Sequence, residues 1–521
     1  MSIRGPEMEI PSLTLYQMLK QTVDEVPDNR ALIFAGDELT YTELHHQVQT
    51  VMGRLQELGI KPGDRVGIML PNCPQYVASY YAITGIGAIV VQISPISAGP
   101  ELAYLLTDSG CRALVAYSEV VTLVQSVRPA SLETVVAVRF GATTVSLSAQ
   151  DRWFDEWMTA VPSAPEPVIP DLNPADTIAV LQYTGGTTGR SKGAMLTHRN
   201  LVANVYQSNY FVPGGSQPDD VVVCALPLFH VYAMTICMNL PIAFAGTILL
   251  VPRFDAKELL TLVEKYKATS FPGVPTMYVA LTQVLTPGST ALSSLRICNS
   301  GGAPLPVQVL HRFEELTGAV MSEGYGLSES SPVTHSSLRD RRKVGSIGIP
   351  APETEVKIVA IDDPSREMPN TESGELAIRG PQVMKGYWNR PEETARTLVD
   401  GWLLTGDIAL IDDEGFTFIV DRKKDLIISS GFNVYPRDVE EALYKHPAVL
   451  EAAVVGVPDE YRGETVKAFV VLRDGEGVTE ADLIAFCRQQ LAPYKVPRLI
   501  EFKQDLPKSA VGKVLRRSLR A

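Results

Sequence analysis

The chain has 521 residues, of which 45% are hydrophobic and 20% are charged, and its 59 acidic and 46 basic side chains give a formal net charge of −13. Its length exceeds what one hydrophobic core usually supports, so we expect two or more domains, and its composition excludes a disordered chain. The negative balance argues against a nucleic-acid partner and against a polybasic membrane anchor.

The cysteines and the N-terminus bear on the cellular compartment. Six cysteines are scattered in mostly apolar settings without the paired spacing of a metal site, which predicts buried thiols in a reducing compartment. The first residues carry Arg4, Glu7 and Glu9 before any apolar run, which is not typical of a secretory signal. We therefore expect a cytoplasmic location, and peripheral contact with the inner membrane face is left open.

The predicted elements start with a helix over residues 39–58. Its apolar face is formed at helical spacing by Leu44, Val48, Val51 and Leu55. A Pro-Gly-Asp turn then leads into a strand over residues 66–70. Residues 141–171 are irregular and contain prolines, so we expect a surface connection there.

One apolar stretch requires a decision between membrane and core. Residues 221–252 contain no Asp, Glu, Lys or Arg and are long enough to span a bilayer. Prolines, Asn239 and Gly246 interrupt the stretch, and its β-branched ends predict strands at 221–225 and 247–251 around a buried helix. We therefore expect no transmembrane segment.

Strand and helix signals alternate in the next part of the chain. Asp255 and Glu258 predict a capped helix, residues 295–298 predict a strand, and a further helix opens at Pro306 and stops at Gly318. Such alternation predicts parallel sheets covered by helices. The expected fold class is therefore α/β in a large N-terminal domain over residues 1–420.

The last hundred residues have a different pattern. A compact α+β unit is predicted from helices at 437–445 and 480–490 and strands at 451–457, 465–473 and 498–502. The charged run at 422–425 indicates a boundary near Asp421, so we expect a small C-terminal domain over residues 422–521.

Residues 183–192 carry the strongest chemical signal. They combine three glycines, three threonines and the cations Arg190 and Lys192, directly after an apolar run at 177–181 that predicts a buried strand. Glycines let the backbone turn its N–H groups toward an anion, so this stretch predicts a phosphate-binding loop. Its spacing matches neither a nucleotide-triphosphatase loop nor a dinucleotide fingerprint. In isolation, an ordinary glycine-rich turn is the alternative.

The run Tyr-Thr-Gly-Gly-Thr-Thr-Gly-x-x-Lys-Gly resembles the phosphate-binding signature of the acyl-adenylate-forming enzymes. That superfamily contains acyl-CoA synthetases, adenylation domains of peptide synthetases and luciferases. The resemblance implies a large domain with a small mobile α+β lid that turns about a hinge near Asp421. It implies that the ATP phosphates contact Thr184, Gly185, Gly186, Thr187, Thr188, Gly189 and Lys192.

Two further segments resemble the part of the family that holds adenine and Mg²⁺. In Glu-Gly-Tyr-Gly-Leu-Ser-Glu at 323–329, Tyr325 would stack on adenine, and Glu329 would hold Mg²⁺ together with Thr188. Ser328 replaces the usual threonine and keeps its hydroxyl. At 300–304, small residues would let adenine approach the backbone. The nucleotide contacts implied by both segments are Gly301, Gly302, Ala303, Glu323, Gly324, Tyr325, Gly326 and Ser328.

Residues 400–424 resemble the signature of fatty acyl-CoA synthetases. Asp407 is the implied ribose ligand, since one carboxylate accepts hydrogen bonds from two vicinal hydroxyls. Arg422 would add a second contact to the nucleotide. Residues 429–434 resemble the segment presented for thioester formation, and the residues implied on the coenzyme A side are Lys424, Ser430, Gly431 and Asn433.

The loop at 507–513 resembles the one that holds the catalytic lysine of the family. Lys513 would bridge the carboxylate and the α-phosphate and offset the charge that develops there. Lys513, Thr188 and Glu329 are thus the implied catalytic residues. His230 matches the residue beside the acyl carboxylate in acyl- and aryl-CoA ligases, where amino-acid-activating relatives have aspartate. An acid with an uncharged tail is therefore favoured.

These motifs predict an ATP-dependent ligase that joins medium- to long-chain fatty acids to coenzyme A, with Mg²⁺ as cofactor. An aryl or hydroxycinnamate ligase shares every motif and stays as the alternative. An acyl-AMP ligase serving a carrier protein is less favoured because no insertion near the hinge is apparent. A non-catalytic lipid or nucleotide sensor is disfavoured because Lys513 and Glu329 are both present. A homodimer is left open.

Overall fold

The computed structural model describes residues 2–141, 143–161, 163–184, 190–429, 432–459, 462–510 and 512–520. Their helices are α1 (Leu15–Glu25), α2 (Tyr41–Glu57), α3 (Pro74–Gly85), α4 (Gly99–Ser109), α5 (Val121–Val127), α6 (Phe154–Thr159), α7 (His198–Tyr210), α8 (Leu240–Ala243), α9 (Ala256–Tyr266), α10 (Pro275–Val284), α11 (Val307–Thr317), α12 (Pro391–Thr397), α13 (Pro436–Tyr444) and α14 (Glu480–Gln490). A π-helix over Ala233–Asn239 leads into α8.

The strands of the described residues fall into four sheets. In chain order they are β1 (Ile3–Arg4), β2 (Arg30–Phe34), β3 (Asp37–Thr40), β4 (Arg65–Met69), β5 (Ile89–Gln92), β6 (Ala113–Tyr117), β7 (Thr134–Val138), β8 (Arg152–Trp153), β9 (Ile178–Thr184), β10 (Lys192–Thr197), β11 (Val221–Cys224), β12 (Thr247–Leu250), β13 (Ser270–Gly273), β14 (Ile297–Ser300), β15 (Met321–Gly326), β16 (Val333–Ser336), β17 (Ile349–Pro350), β18 (Glu355–Val359), β19 (Gly374–Arg379), β20 (Leu398–Val399), β21 (Trp402–Ile411), β22 (Thr417–Arg422), β23 (Ile427–Ser429), β24 (Phe432–Val434), β25 (Val449–Asp459), β26 (Gly463–Leu472) and β27 (Leu499–Phe502).

Two large sheets have parallel centres, and antiparallel pairs form both edges of the larger sheet and one edge of the smaller sheet. The nine-stranded sheet has the order β17-β16-β15-β14-β13-β11-β12-β2-β3, and the seven-stranded sheet has the order β10-β9-β5-β4-β6-β7-β8. Strand β11, for example, is a continuous run of buried apolar residues, as is typical of the centre of a parallel sheet. The predicted α/β class is therefore confirmed. The carboxyl ends of β13, β14 and β15 meet at one edge, where α/β sheets place their ligands.

An antiparallel sheet and a mixed sheet complete the described fold. A six-stranded sheet contains β1 and β18 to β22, and we did not predict it. The last five strands, β23 to β27, form the other sheet, which packs with α13 and α14 around its own apolar cluster. We call β23–β27 with α13, α14 and the tail to residue 520 the C-terminal unit, and the described residues before Asp421 the body.

Several predicted bounds need correction. The strand predicted at 295–298 lies at Ile297–Ser300, because Leu295 closes a turn by donating to the carbonyl of Leu292. The predicted surface connection at 141–171 contains β8 and the short helix α6. By contrast, helix 480–490 and the Asp255 cap of α9 are confirmed.

The stretch at 221–252 packs inside the body, as β11, the π-helix, α8 and β12. Within the described ranges, no helix combines the length and the apolarity needed to cross a bilayer. All six cysteines are free and buried, as predicted.

Candidate active site

A cleft of about 1500 Å³ opens at the carboxyl ends of β13–β15, between the body and the C-terminal unit. The predicted site residues that line it are Thr184, Lys192, His230, Gly301, Gly302, Ala303, Glu323, Gly324, Tyr325, Gly326, Ser328, Glu329, Asp407, Arg422, Lys424 and Lys513. Residues as far apart in the sequence as Thr184 and Lys513 thus meet at one cavity.

The phosphate-binding stretch connects two antiparallel strands. Thr184 at the end of β9 pairs with Lys192 at the start of β10, and we call β9, β10 and the stretch between them the phosphate-binding hairpin. The strand predicted before the loop is confirmed. Gly185, Gly186, Thr187, Thr188 and Gly189 lie outside the described residues, so their predicted phosphate and metal contacts remain predictions.

Aromatic side chains support the cationic end of this hairpin. The Tyr104 hydroxyl donates to the carbonyl of Ser191 at 2.8 Å, and the Arg190 guanidinium lies 5.5 Å from the Tyr104 ring centroid. The ammonium of Lys192 lies 5.0 Å from the centroid of the Tyr387 ring. These contacts hold two positive charges beside the cleft, where they favour an anionic ligand.

Glu329 faces the same part of the cleft. It lies in a short turn, Ser328–Ser330, and its Oε1 accepts a hydrogen bond of 2.7 Å from the hydroxyl of Tyr387. Burial, followed by the charge of Glu329, raises the pKa of Tyr387 well above its ordinary value, so the phenol stays a donor. Tyr387 therefore orients the carboxylate and leaves its second oxygen without that constraint.

This carboxylate fits a magnesium site. Mg²⁺ prefers oxygen ligands and is commonly held by one or two carboxylates together with substrate phosphates and water. Among the described side chains, no group of three His, Cys, Asp or Glu residues forms a cage for a metal. Glu329 alone, beside the phosphate-binding hairpin, matches the sparse protein ligation that Mg²⁺ accepts.

Asp407 is held from two sides. The Tyr325 hydroxyl donates to its Oδ2 at 2.6 Å, and Nε of Arg422 lies 3.5 Å from its Oδ1. Asp407 and Arg422 are directly paired residues of β21 and β22, so the sheet register sets their proximity. A buried carboxylate in this position can accept hydrogen bonds from sugar hydroxyls.

Gly301 is packed against an aromatic ring. A Cβ atom at Gly301 would lie 3.2 Å from two ring carbons of Tyr232, and Gly302 has a φ of +78°. Tyr232 itself is anchored by donating to Oδ1 of Asn299 at 2.7 Å. The turn after β14 therefore has no room for larger side chains, and it presents backbone to the cleft.

Glu323 is buried beside the C-terminal unit. Its Oε1 accepts a hydrogen bond of 3.3 Å from the backbone N–H of Leu305. Burial raises the pKa of Glu323 to about 7, and the charge of Arg437 acts against that rise. A nearby carboxylate, Glu441 on α13, raises it further.

His230 follows a segment, residues 224–228, that is held by hydrogen bonds to Asn72. The amide of Asn72 donates to the carbonyls of Cys224 and Leu226 and accepts from the backbone N–H of Leu228, which fixes the chain just before His230. Nδ1 of His230 accepts from the backbone N–H of Tyr232 at 3.3 Å. In the neutral ring the proton therefore lies on Nε2, which is free to donate.

The charge of Lys513 acts on His230 across the cleft. Burial and the positive charge of Lys513 lower the pKa of His230 to about 4, so the imidazole is neutral at physiological pH. Burial, then the charge of Arg422, lowers the pKa of Lys513 to about 7. Lys424 lies in the same group, and burial lowers its pKa to about 8. These cations would be stabilised by a polyphosphate.

The cleft continues past His230 along the face of the nine-stranded sheet. It is lined there by Ile297 and Asn299 of β14 and by Val222 of β11, and on the other side by Ile236 and Leu240. From residue 297 to residue 301 the strand covers about 13 Å. A long, mostly apolar chain can therefore extend away from the nucleotide side.

One described residue of the predicted coenzyme A segment, Asn433, is not brought to the cleft. Asn433 lies on β24 and is exposed to solvent. It does not belong to the described residues that line the cavity. Ser430 and Gly431 lie outside the described residues. The structure therefore brings together Lys424 and those residues predicted for adenylation that it describes, and it does not do so for Asn433.

Sequence reasoning missed two site residues, Tyr387 and Tyr232. Tyr387 lies 58 positions from its partner Glu329, and nothing in its local pattern indicates that contact. Tyr232 is two residues after His230, and its place in an apolar run made it look like an ordinary core residue.

Comparisons with known proteins agree with this geometry. The family described as "AMP-binding enzyme" matches residues 19–388, and "AMP-binding enzyme C-terminal domain" matches residues 438–513. A protein named long-chain-fatty-acid–CoA ligase from Bacillus subtilis (strain 168) is 43% identical over 98% of this chain and 95% of its own length. A feruloyl-CoA synthase from Amycolatopsis sp is 38% identical over 95% of this chain and 96% of its own length.

The solved structures add information on conformation. ATP-bound MatB from Rhodopseudomonas palustris is 30% identical, has a TM-score of 0.88, and is matched over 98% of both chains. The apo form of the same protein is 31% identical over 97% of this chain and 98% of its own length, with a TM-score of 0.79. The present structure is thus more similar to the nucleotide-bound arrangement.

Proposed function

This chain belongs to the AMP-binding enzyme family, and on that premise we propose that it uses ATP to join a fatty acid to coenzyme A. The observation that carries the proposal is the single continuous cleft, which connects Asp407 and Lys513 with the apolar sheet face at Ile297. One end fits a nucleotide and the other fits an aliphatic tail.

The first half-reaction is the adenylation of the acid. The carboxylate attacks the α-phosphate of ATP, a new oxygen–phosphorus bond forms, and the bond to pyrophosphate breaks. Lys513 bridges the carboxylate and the α-phosphate and offsets the negative charge of the transition state. Nε2–H of His230 donates to the same carboxylate and orients it, while Asp407 and Tyr325 hold ribose and adenine.

When bound, Mg²⁺ neutralises phosphate charge, and Glu329 would hold it, with Thr188 as the second protein ligand. Tyr387 sets the orientation of the Glu329 carboxylate. Lys192 and the backbone of the phosphate-binding hairpin stabilise the departing pyrophosphate.

The second half-reaction forms the thioester. The sulfur of coenzyme A attacks the acyl carbon of acyl-AMP, the bond from that carbon to the AMP oxygen breaks, and the thiol proton leaves to water. We propose that the C-terminal unit turns about Asp421, which withdraws Lys513 and brings in the segment with Ser430, Gly431 and Asn433. The division into residues 1–420 and 422–521 is part of this proposal.

Asp421 has the contacts of a hinge. Its Oδ1 accepts from the backbone N–H of Arg422 at 2.7 Å, and its Oδ2 accepts from the backbone N–H of Arg437 at 3.0 Å. Burial raises the pKa of Asp421 to about 6, and the charge of Arg516 opposes that rise. One carboxylate thus ties the last strand of the body to the first helix of the C-terminal unit.

A panel of acids tests the proposal. Coenzyme A-dependent release of AMP should be measured for acids from acetate to oleate and for coumarate and ferulate. We expect kcat/KM to rise with chain length and to exceed the aryl values. No release with any acid would exclude the ligase. Release with the aryl acids alone would establish the second candidate, an aryl-CoA ligase.

That second candidate is supported by the hydrogen-bonded groups along the cleft. Tyr232 donates to Asn299, whose amide donates to Oγ of Ser322 at 2.9 Å.

Leu240→Phe provides a matched control for tail length, because Leu240 is one of the apolar residues that line the cavity. It should lower kcat/KM for oleate and spare short acids and coumarate.

We also propose a cytoplasmic location, where ATP and coenzyme A are supplied and the six free thiols stay reduced. Peripheral contact with the inner membrane face and a homodimer stay expectations of the resemblance. Addition of anionic vesicles followed by sedimentation, and the mass in solution, test these two expectations.

A further inference from the structure

The loop that carries Lys513 is held together by its own hydrogen bonds. The backbone N–H of Ser509 donates to the carbonyl of Lys513 at 2.8 Å, and the N–H of Lys513 donates to Oγ of Ser509 at 3.2 Å. The N–H of Leu515 closes the loop on the carbonyl of Pro507 at 2.8 Å. The loop is therefore compact, and its docking on the body decides where the lysine lies.

Thr276 makes a direct contact with this loop. Its hydroxyl donates to the carbonyl oxygen of Gly512 at 3.2 Å, across 236 residues of sequence. The accepting carbonyl belongs to the peptide bond that leads into Lys513. A hydrogen bond at that position fixes the backbone from which the catalytic side chain extends.

The backbone of Gly512 also lies close to the side chains of Thr276 and Val274. A Cβ atom on Gly512 would lie 2.7 Å from Oγ1 of Thr276 and 3.4 Å from a methyl carbon of Val274. Gly512 has a φ of +76°, a left-handed conformation that other residues rarely adopt. Glycine at 512 thus permits both the turn and the contact.

Thr276 lies on a rigid support. It is in the first turn of α10, whose residues Met277, Tyr278 and Leu281 are buried in the body. The Tyr278 hydroxyl ties the helix to the sheet by donating to the carbonyl of Phe271 at 2.9 Å. A donor held in this way can position the loop with little freedom.

From these contacts we propose that Thr276 positions Lys513 for adenylation by holding the carbonyl of Gly512. This inference rests on the proposed ligase function and on the rotation of the C-terminal unit. The contact exists in the arrangement that resembles the ATP-bound relative, and it is broken when Lys513 is withdrawn. Thr276 therefore acts in the first half-reaction and not in the second.

The test compares the two half-reactions separately. Thr276→Val keeps the shape of the side chain and removes the donor. We expect it to lower kcat for acid-dependent ATP–pyrophosphate exchange ~3- to 10-fold, the effect of one hydrogen bond. The KM for ATP and the rate at which supplied acyl-AMP reacts with coenzyme A should stay within about twofold of wild type.

Two variants serve as controls. Thr276→Ser keeps the hydroxyl and should restore exchange to nearly the wild-type rate. Thr282→Val removes a hydroxyl from the same helix, where Thr282 donates to the carbonyl of Val279 at 2.7 Å, and it should leave exchange unchanged. A merely structural role of Thr276 would lower both half-reactions and would not be rescued by serine.

A double-mutant cycle with Gly512→Ala checks the contact independently of folding. If the two residues act together, the double variant should lose less exchange activity than the product of the two single losses. The inference is overturned by wild-type exchange in Thr276→Val, by equal loss in both half-reactions, or by independent effects in the cycle. Wild-type enzyme without any acid-dependent exchange would instead refute the ligase function.

Discussion

The hydroxyl of Tyr325 donates a hydrogen bond of 2.6 Å to Oδ2 of Asp407, which is 82 residues away in the sequence. Burial, and then the charge of Asp407, raises the pKa of Tyr325 well above its ordinary value. The phenol therefore remains a donor across the physiological range. This pair joins the segment that we propose for adenine to the carboxylate that we propose for ribose, so one contact would orient two parts of the nucleotide site.

Asp407→Ala should weaken ATP binding ~10- to 100-fold, since a hydrogen bond to a charged group contributes roughly 1.5–3 kcal/mol. Tyr325→Phe, which keeps the ring and the carboxylate, should weaken it less, ~3- to 10-fold. Calorimetric titration with a non-hydrolysable ATP analogue measures both. An affinity of Asp407→Ala equal to wild type would remove the ribose role.

Lys513→Ala should slow formation of acyl-AMP by ~10² or more, because the charge that develops on the phosphate loses its partner. Supplied acyl-AMP should still react with coenzyme A at nearly the wild-type rate. Single-turnover measurements of each half-reaction decide the matter. Equal losses would contradict the division of labour that we propose.

The pH dependence of adenylation follows from the lowered pKa of Lys513. Its ammonium is present below about pH 7 in the free enzyme and is lost as the pH rises through that value. kcat/KM for acyl-AMP formation should therefore fall above pH 7, whereas kcat should fall at higher pH, because bound polyphosphate favours the ammonium. Lys513→Arg keeps its charge, so an unchanged profile in that variant would assign the titration to another group.

Tyr387→Phe should raise the Mg²⁺ concentration needed for half-maximal activity by ~3- to 10-fold, since Glu329 loses the hydrogen bond that orients it. At saturating Mg²⁺ most of the activity should return. Melting curves with and without Mg²⁺–ATP give a second readout that does not depend on turnover. Loss of activity that Mg²⁺ fails to restore would show that Tyr387 acts on something other than Glu329.

Glu323→Gln should change how the thermal stability varies with pH. Burial raises the pKa of Glu323 from its ordinary value of 4.5 to about 7. The protonated side chain therefore contributes stability that is fully present below pH 4.5 and is lost as the pH rises through 7. Glutamine keeps the oxygen that accepts from Leu305 and carries no charge. The Tm of the variant relative to wild type should thus increase from pH 5 to pH 8, and a constant difference would contradict the assignment.

Local patterns in the sequence predicted the elements that depend on local interactions. Helix α14 was predicted correctly at 480–490, and in the structure Thr479 caps it by accepting from the backbone N–H of Asp482. Strand β25 was predicted at 451–457 but extends over Val449–Asp459, because its long pairing with β26 carries it past the apolar run. The six-stranded antiparallel sheet was missed, since its pairing joins strands whose own sequences do not identify their partners.

The site divides in the same way. Lys513, Asp407 and Glu329 were predicted because each lies in a short motif that resembles a segment of the family, and the structure brings all three to one cleft. Thr276 and Tyr387 were missed because their roles come from a partner far along the chain, at Gly512 and Glu329. Such contacts are set by tertiary packing, and no spacing within a single segment reveals them.

Tyr232 and Gly301 form a common wall between the two halves of the cleft. In the function that we propose, one side of this wall faces the nucleotide and the other faces the acyl tail, and a Cβ atom on Gly301 would lie only 3.2 Å from two ring carbons of Tyr232. A larger residue at 301 would push the ring into the space for the tail, and a smaller residue at 232 would leave the nucleotide turn unsupported. A substitution at Tyr232 or Gly301 that changes the width of the proposed acyl entrance should therefore also weaken the binding of AMP. We expect altered substrate preference to arise from substitutions deeper in the cavity.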